Sequence, residues 1–446
     1  MCVEAGIYGR LPQKTYNAGL ADPATKPKTL TRAPDYTNKY IKNNPLMSGE
    51  KNRIYGLDML RAVAILAVVH GHGYNLVKNH FDALAYSAYL ALDGVSLFFV
   101  LSGFLIGGIL ISATIDSEFR ARGLMDFWIR RWFRTLPLYY LVLAFVVVAF
   151  IIKHSALPVD FLNLATFTQN LNHGPPNFFE EAWSLAVEEW FYLFIPAILF
   201  LAMKIKFIPK DKILLSTIIA VILASTANRV YTAIDLNFVF TFDATPWTER
   251  ITMPVFNRLD SIMYGILGAY LVRHYGPRLQ KHAGKMFMLG AFLIVMTNHA
   301  FFFPVFEYRA FYANYFYVTA QGIGALLLIP KLIGIRSGRG LTHKAVTFIS
   351  KISYSMYLLN LAVVQLTLVP LVMRLVEFAD PKGFSASMTK LAIYWVLTIG
   401  LSYALYRWYE LPMMNLRDRF SIKKKGHRQS QVRQAGATID LSGAKQ

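Results

Sequence analysis

The stretch "GLDMLRAVAILAVVHGHG", residues 56–73, decides the fold. Its middle is an unbroken run of Ala, Val, Ile and Leu that belongs in lipid or a dry core. Yet Asp58 and Arg61 stand at one end and His70 and His72 at the other. Arg61 and His72 are eleven positions apart, which on a helix is three turns plus about 20°. They therefore share a face, roughly 16 Å apart along the axis. His70 falls on the opposite face, so spacing selects His72 as the partner of Arg61 in a common cleft. An ionisable group within a span costs at least about 2.5–3.5 kcal/mol and turns toward a polar cavity. The plainer alternative is a snorkelling Arg61 with histidines at the helix end.

The rest of the chain matches this stretch. Of 446 residues, 55% are hydrophobic and only 16% charged, with mean hydropathy +0.38. Apolar runs recur near 57–77, 88–112, 136–152, 184–203, 213–230, 258–273, 286–303, 313–333, 346–370 and 389–408. Each is about 20 residues, the length of a bilayer-spanning helix. Lipid offers no partners to free backbone groups, so the expected fold is an all-α polytopic membrane protein, a bundle of about ten transmembrane helices. The long unbroken runs exclude a transmembrane β-barrel.

The net charge of +20 is unevenly placed. "RARGLMDFWIRRWFR", "KIKFIPKDK", "RHYGPRLQKHAGK" and "KLIGIRSGRGLTHK" together hold 17 Lys and Arg, against 6 in the five intervening loops. That asymmetry puts these four stretches and both termini on the cytoplasmic side. The charge is thus a topology signal and not a nucleic-acid one. Residues 1–50 form a polar N-terminal tail, 51–417 the membrane domain and 418–446 a basic C-terminal tail suited to anionic lipid. The single cysteine, Cys2, forms no internal disulfide. No Cys/His cluster has zinc spacing, and neither a P-loop nor a GxSxG elbow occurs, so neither a metal nor a bound cofactor is expected.

Further motifs accompany the opening stretch. They are "DGVSLFFVLSGFLIG" (93–107), "RRWFRTLPLYY" (130–140), "AWSLAVEEWFYL" (182–193), "NRLDSIMYGILGA" (257–269), "ISYSMYLLN" (352–360) and "YRWYELPM" (406–413). With the Arg-x10-His of Arg61 and His72, this series resembles the acyltransferase family 3 integral membrane acyltransferases. Ser96 stands where an Asp is common in that family, and Asn360 where a His is usual.

The resemblance implies transfer of an acyl group, typically acetyl, from cytoplasmic acyl-CoA to a hydroxyl. The acceptor would be an exported or surface glycan or a lipid-linked glycan, at a bacterial cytoplasmic (inner) membrane. Such chemistry needs an anion site for CoA phosphates, a base and a stabilised oxyanion. Arg61, Arg131 and Arg134 suit the anion site, because guanidinium matches phosphate in a bidentate way; Arg131 and Arg134 are i,i+3 neighbours that can converge on one anion. Arg130, offset by one, reads as an interface anchor. His72 suits the base, acting directly or through an acyl-histidine.

Ser184, Glu188 and Tyr192 fall at i, i+4 and i+8 and form one polar strip. Glu188 is the carboxylate expected in the cleft, orienting His72 or contacting the acceptor; Glu189 faces elsewhere as a structural residue. Asp58, Ser184, Tyr192, Arg258 and Asp260 complete the candidates as acceptor contacts or structural support. Arg258 and Asp260, two apart, do not face each other on a helix. Ser261, Gly265 and Gly268 read as a close-packing stripe. The ten aromatics in residues 301–317 read as an interfacial belt. Acceptor specificity is expected in loops 153–182 and 231–257, which carry Asp160, Glu180, Glu181, Asp235, Asp243 and Glu249. Two rival readings stand beside this one. One is acylation of a small molecule such as a macrolide or a lipid. The other is a non-enzymatic transporter or flippase whose buried charges form a substrate path.

Overall fold

The computed structural model describes residues 53–80, 92–115, 121–176, 178–235, 247–302, 309–375 and 382–420. All lie within the unit Tyr36–Gln446. The expected N-terminal tail 1–50 and residues 421–446 of the C-terminal tail fall outside them, as does part of the aromatic run 301–317.

The described residues are helical throughout, with no strand among them. The main helices are α1 (Tyr55–Tyr74), α2 (Gly94–Thr114), α3 (Ala121–His154), α4 (Ala182–Ala202), α5 (Lys210–Asp235), α6 (Leu259–Phe302), α7 (Tyr317–Leu332), α8 (Gly340–Leu359) and α9 (Phe384–Leu405). Beyond α8 the chain continues without a break through wide π-helical turns, Asn360–Leu368, into Val369–Met373.

Each of the ten expected segments falls on helix where it is described. Six helical stretches are long and apolar enough to cross a membrane: Gly94–Thr114, Ala121–His154, Ala182–Ala202, Lys210–Asp235, Gly340–Met373 and Phe384–Arg417. Tyr317–Leu332 is apolar but shorter. Neither α1, which carries Asp58 and Arg61, nor α6, whose middle is basic, is among the six.

The expected loop at 274–285 is instead helical, because α6 runs through it with a single break at Tyr275 (φ −127°, ψ 17°). Pro277 follows immediately and opens the second half, where a missing N–H is tolerated. The contacts with α7 show what the break does. In the first half, Tyr264 packs on Gly322 and Gly268 on Leu326 and Ile329. In the second half, Gln280 bonds the Pro330 carbonyl, Gly290 abuts Gly324, and Tyr317 donates to Asn298. The first series runs parallel to α7 and the second antiparallel, so the chain reverses direction at Tyr275. The second basic stretch read as a loop, "RARGLMDFWIRRWFR", is likewise the first turns of α3.

Close packing holds the bundle. A Cβ at Gly103 would overlap the Ile262 carbonyl, and one at Gly265 would overlap that of Val100. α2 and α6 therefore cross backbone to backbone, as small-residue stripes permit in membranes. α1 and α8 lie side by side and run parallel: Asp58 and Arg61 meet Ser350 at one level, and His72 meets Asn360 at the other.

Candidate active site

The two levels joining α1 and α8 frame the site. At the N-terminal level, Arg53 grips Asp58 with Nε and Nη2 at 2.9 and 2.6 Å. Arg61 Nη1 donates to Asp58 at 3.2 Å and to Ser350 at 3.3 Å. The Ser350 hydroxyl itself donates to Asp58 at 2.9 Å. Asp58 is thus a structural acceptor that aims Arg61.

Beside this level a cavity of about 100 Å³ opens between α1, α2, α3, α4 and α8. Its wall includes Arg61, Ser102, Arg131, Arg134, Ser184, Glu188, Tyr192 and Tyr357. Three guanidiniums from two helices therefore share one small space with one carboxylate. Glu188 accepts from Ser102 Oγ at 3.0 Å and from Tyr192 Oη at 2.8 Å. Arg131 lies 5.7 Å from the ring centres of both Phe127 and Tyr192, within cation–π range. Among the described residues, neither Arg131 nor Arg134 forms an ion pair with a carboxylate. Arg130 by contrast pairs with Asp126 at 2.8 Å, and Glu189, itself not in the cavity wall, accepts at 2.7 Å from Thr135, which is.

The second level departs from the sequence reading. His72 does not line the cavity with Arg61, and its hydrogen bond is to Asn360, not to Glu188: Nδ1 lies 2.5 Å from Asn360 Oδ1. The reason is vertical offset. The start of α4 is tied to the His72 level, since Glu181 accepts from the Ala362 N–H at 2.9 Å. Glu188, seven residues further along, lies about 10 Å down the helix toward Arg61. Between the two levels, Ser184 Oγ and Tyr357 Oη sit 2.6 Å apart, and both residues line the cavity. Just before the α4 span, burial pushes the Glu181 carboxyl up to about 8, opposed by the Ala362 N–H.

Arg258 and Asp260 belong to separate networks outside the cavity wall, as their spacing requires. Asp260 pairs with Arg229 at 2.9 Å, with both side chains at most 1% exposed. Arg229 also donates to the Asn257 carbonyl at 2.6 Å and to Thr319 at 2.8 Å. Arg258 lies over the rings of Phe99 and Trp183 and donates to Ser96 Oγ at 2.9 Å. Ser96 in turn donates to Asp93 at 2.6 Å. Ser96 thus relays to Asp93 the contact that an Asp at its own position would make directly. Of the loop carboxylates, Asp243 lies outside the described residues.

Sequence reasoning missed Ser102, Ser350, Tyr357, Asp93 and Arg229. One signal was present: Ser350 and Asn360 are ten positions apart, nearly the eleven that separate Arg61 from His72, as two parallel helices in register require.

Comparison with known proteins bears on this arrangement. A family described as an acyltransferase domain matches residues 54–407. The chain is 28% identical to the peptidoglycan O-acetyltransferase of Listeria monocytogenes over 314 residues, 60% of this chain and 46% of that protein. It is 32% identical to a putative peptidoglycan O-acetyltransferase of Bacillus subtilis over 193 residues, 39% of this chain and 27% of the relative. Against a putative O-acetyltransferase of Staphylococcus aureus it is 26% identical, over 70% of this chain and 50% of the other. The chain spans half the length or less of each of these relatives. No solved structure matches.

Proposed function

The chain belongs to acyltransferase family 3, and from that premise we propose that it is an integral membrane O-acyltransferase. It moves an acyl group, acetyl foremost, from cytoplasmic acyl-CoA to a hydroxyl of an exported or surface glycan. It does so as a multi-pass protein of the bacterial inner membrane, with the Arg61 end of α1 facing the cytoplasm. Two of the relatives are named for peptidoglycan, which favours a cell-envelope glycan as acceptor.

The observation that carries this reading is the convergence of Arg61, Arg131 and Arg134 on one cavity, two of them without a carboxylate partner. A cluster of three positive charges facing an opening with a single carboxylate among them, Glu188, suits an anionic ligand. The phosphates of the donor bind there, with Glu188 limiting the excess charge. The pantetheine arm then runs along α1, about 16 Å from Arg61 to His72, past the Ser184–Tyr357 pair. At His72 the imidazole takes the proton of the acceptor hydroxyl, the oxygen attacks the thioester carbonyl, and the C–S bond breaks. The proton returns to the departing thiolate, leaving free CoA. Attack by His72 itself, with the acyl group passed on afterwards, balances equally well.

The test is incorporation of radiolabel from acetyl-CoA into envelope glycan, with wild type, His72→Ala and His70→Ala compared at matched membrane levels. The expected result is loss of labelling in His72→Ala and retention in His70→Ala. Labelling by all three alike removes His72 as the base, and labelling by none, the wild type included, overturns transfer from acetyl-CoA to envelope glycan.

A further inference from the structure

We propose that Asn360 is a positioning residue. Its amide oxygen keeps the proton of His72 on Nδ1 and leaves Nε2 as the free basic nitrogen facing the acceptor. The inference rests on the reading of His72 as the base.

The argument is a hydrogen-bond count at one buried amide. Asn360 is fully buried. Its nitrogen carries two hydrogens and donates to two backbone carbonyls, Met356 O at 3.0 Å and Tyr357 O at 2.7 Å. Carbonyl oxygens only accept, so these two bonds decide which end of the amide is nitrogen; the opposite flip would place oxygen against oxygen twice. The atom facing His72 is therefore Oδ1, which cannot donate. At 2.5 Å from it, His72 Nδ1 must carry the hydrogen. In a neutral imidazole that leaves Nε2 unprotonated.

The surroundings hold the pair in place. Tyr394 Oη donates to the Val69 carbonyl at 3.0 Å and lies 3.3 Å from Asn360 Oδ1, on the side away from the Asn360 nitrogen's two partners. Gly73, next to His72, makes room for it: a Cβ there would come within 2.9 Å of the Tyr394 ring. Asn360 also opens the π-helical turns Asn360–Leu368, a helix distortion found mostly at functional sites. An imidazole at position 360 would present a donor or an acceptor according to its own tautomer. The pinned amide presents only an acceptor, so this chain fixes by geometry what a histidine pair would leave to equilibrium.

The primary test is nitrogen NMR on the full chain labelled with 15N-histidine in lipid nanodiscs, the His72 signals being assigned by their absence in His72→Gln. The expected spectrum has Nδ1 protonated and Nε2 free. Asn360→Leu should move the proton to Nε2 and lower kcat roughly 10²–10⁴-fold, the range of general-base catalysis, with the KM for acetyl-CoA unchanged. Asn360→His should restore activity in part, because its ring nitrogen can again accept. A native His72 protonated at Nε2 overturns the assignment whether or not any Asn360 variant folds. So does an Asn360→Leu protein in which the proton stays on Nδ1. Retained transfer in His72→Gln overturns the base reading underneath, whatever the spectrum shows.

Discussion

Two groups of buried arginines sit in one bundle and are treated in opposite ways. Arg229 and Arg258 each face a carboxylate: one meets Asp260, Asn257 and Thr319, the other Ser96, Asp93 and two aromatic rings, although the Nε of each finds no hydrogen-bond partner among the described residues. Arg131, which also lies over two rings, and Arg134 have no carboxylate ion pair among the described residues and line a cavity that they share with Arg61. Taking a guanidinium out of water costs several kcal/mol unless it is paired. The fold thus gives two of its buried arginines a carboxylate and leaves two without one among the described residues, the difference on which the proposed donor site rests. Composition treats all four alike, and the positive-inside count takes in only Arg131 and Arg134.

The comparison is easiest to break at the closed pair. Asp260→Ala leaves Arg229 buried without its carboxylate, which costs about 3–5 kcal/mol in buried ion pairs. The expected result is a fall in membrane abundance and in the unfolding temperature of the purified protein, with activity lost in proportion to folded protein. Next in size is the open pair. Arg131→Gln with Arg134→Gln should leave the unfolding temperature nearly unchanged. It should raise the KM for acetyl-CoA by roughly 10–100-fold, since a hydrogen bond to a charged group contributes about 1.5–3 kcal/mol and each glutamine still offers a donor. Steady-state kinetics beside a thermal melt separates the two outcomes.

The smallest effect concerns Glu181, at the start of α4. Its carboxyl is raised from 4.5 to about 8 by burial, so the folded state holds this proton more tightly than the unfolded chain. Its contribution to stability is present in full below the unfolded value. It is lost progressively as pH rises toward 8. Glu181→Gln should flatten the decline of unfolding temperature between pH 5 and 9, and an unchanged slope would assign that decline to other groups.

What could be read from the sequence was what one helix determines by itself. A period of 3.6 is enough to separate His72 from His70, to set Ser184, Glu188 and Tyr192 on one strip, and to keep Arg258 from Asp260. What escaped was partnership across the chain. His72 and Asn360 are 288 positions apart, and Asp58 and Ser350 are 292; no periodicity links such pairs. Whether Glu188 orients His72 or contacts the acceptor was open for the same reason, because the relative height of α1 and α4 depends on cross-chain contacts such as the Glu181–Ala362 tie. The 274–285 stretch misled differently. Its charge suggested a loop, yet one residue outside helical geometry, Tyr275, suffices for the reversal.

The most direct test of the open-arginine account is equilibrium binding of radiolabelled CoA to the purified chain in nanodiscs, wild type against Arg131→Gln/Arg134→Gln, with melting curves confirming that both are folded. The account predicts saturable binding by the wild type that weakens at least tenfold in the double variant. Equal binding by the two folded proteins would contradict it, and the cavity would then hold something other than the acyl donor.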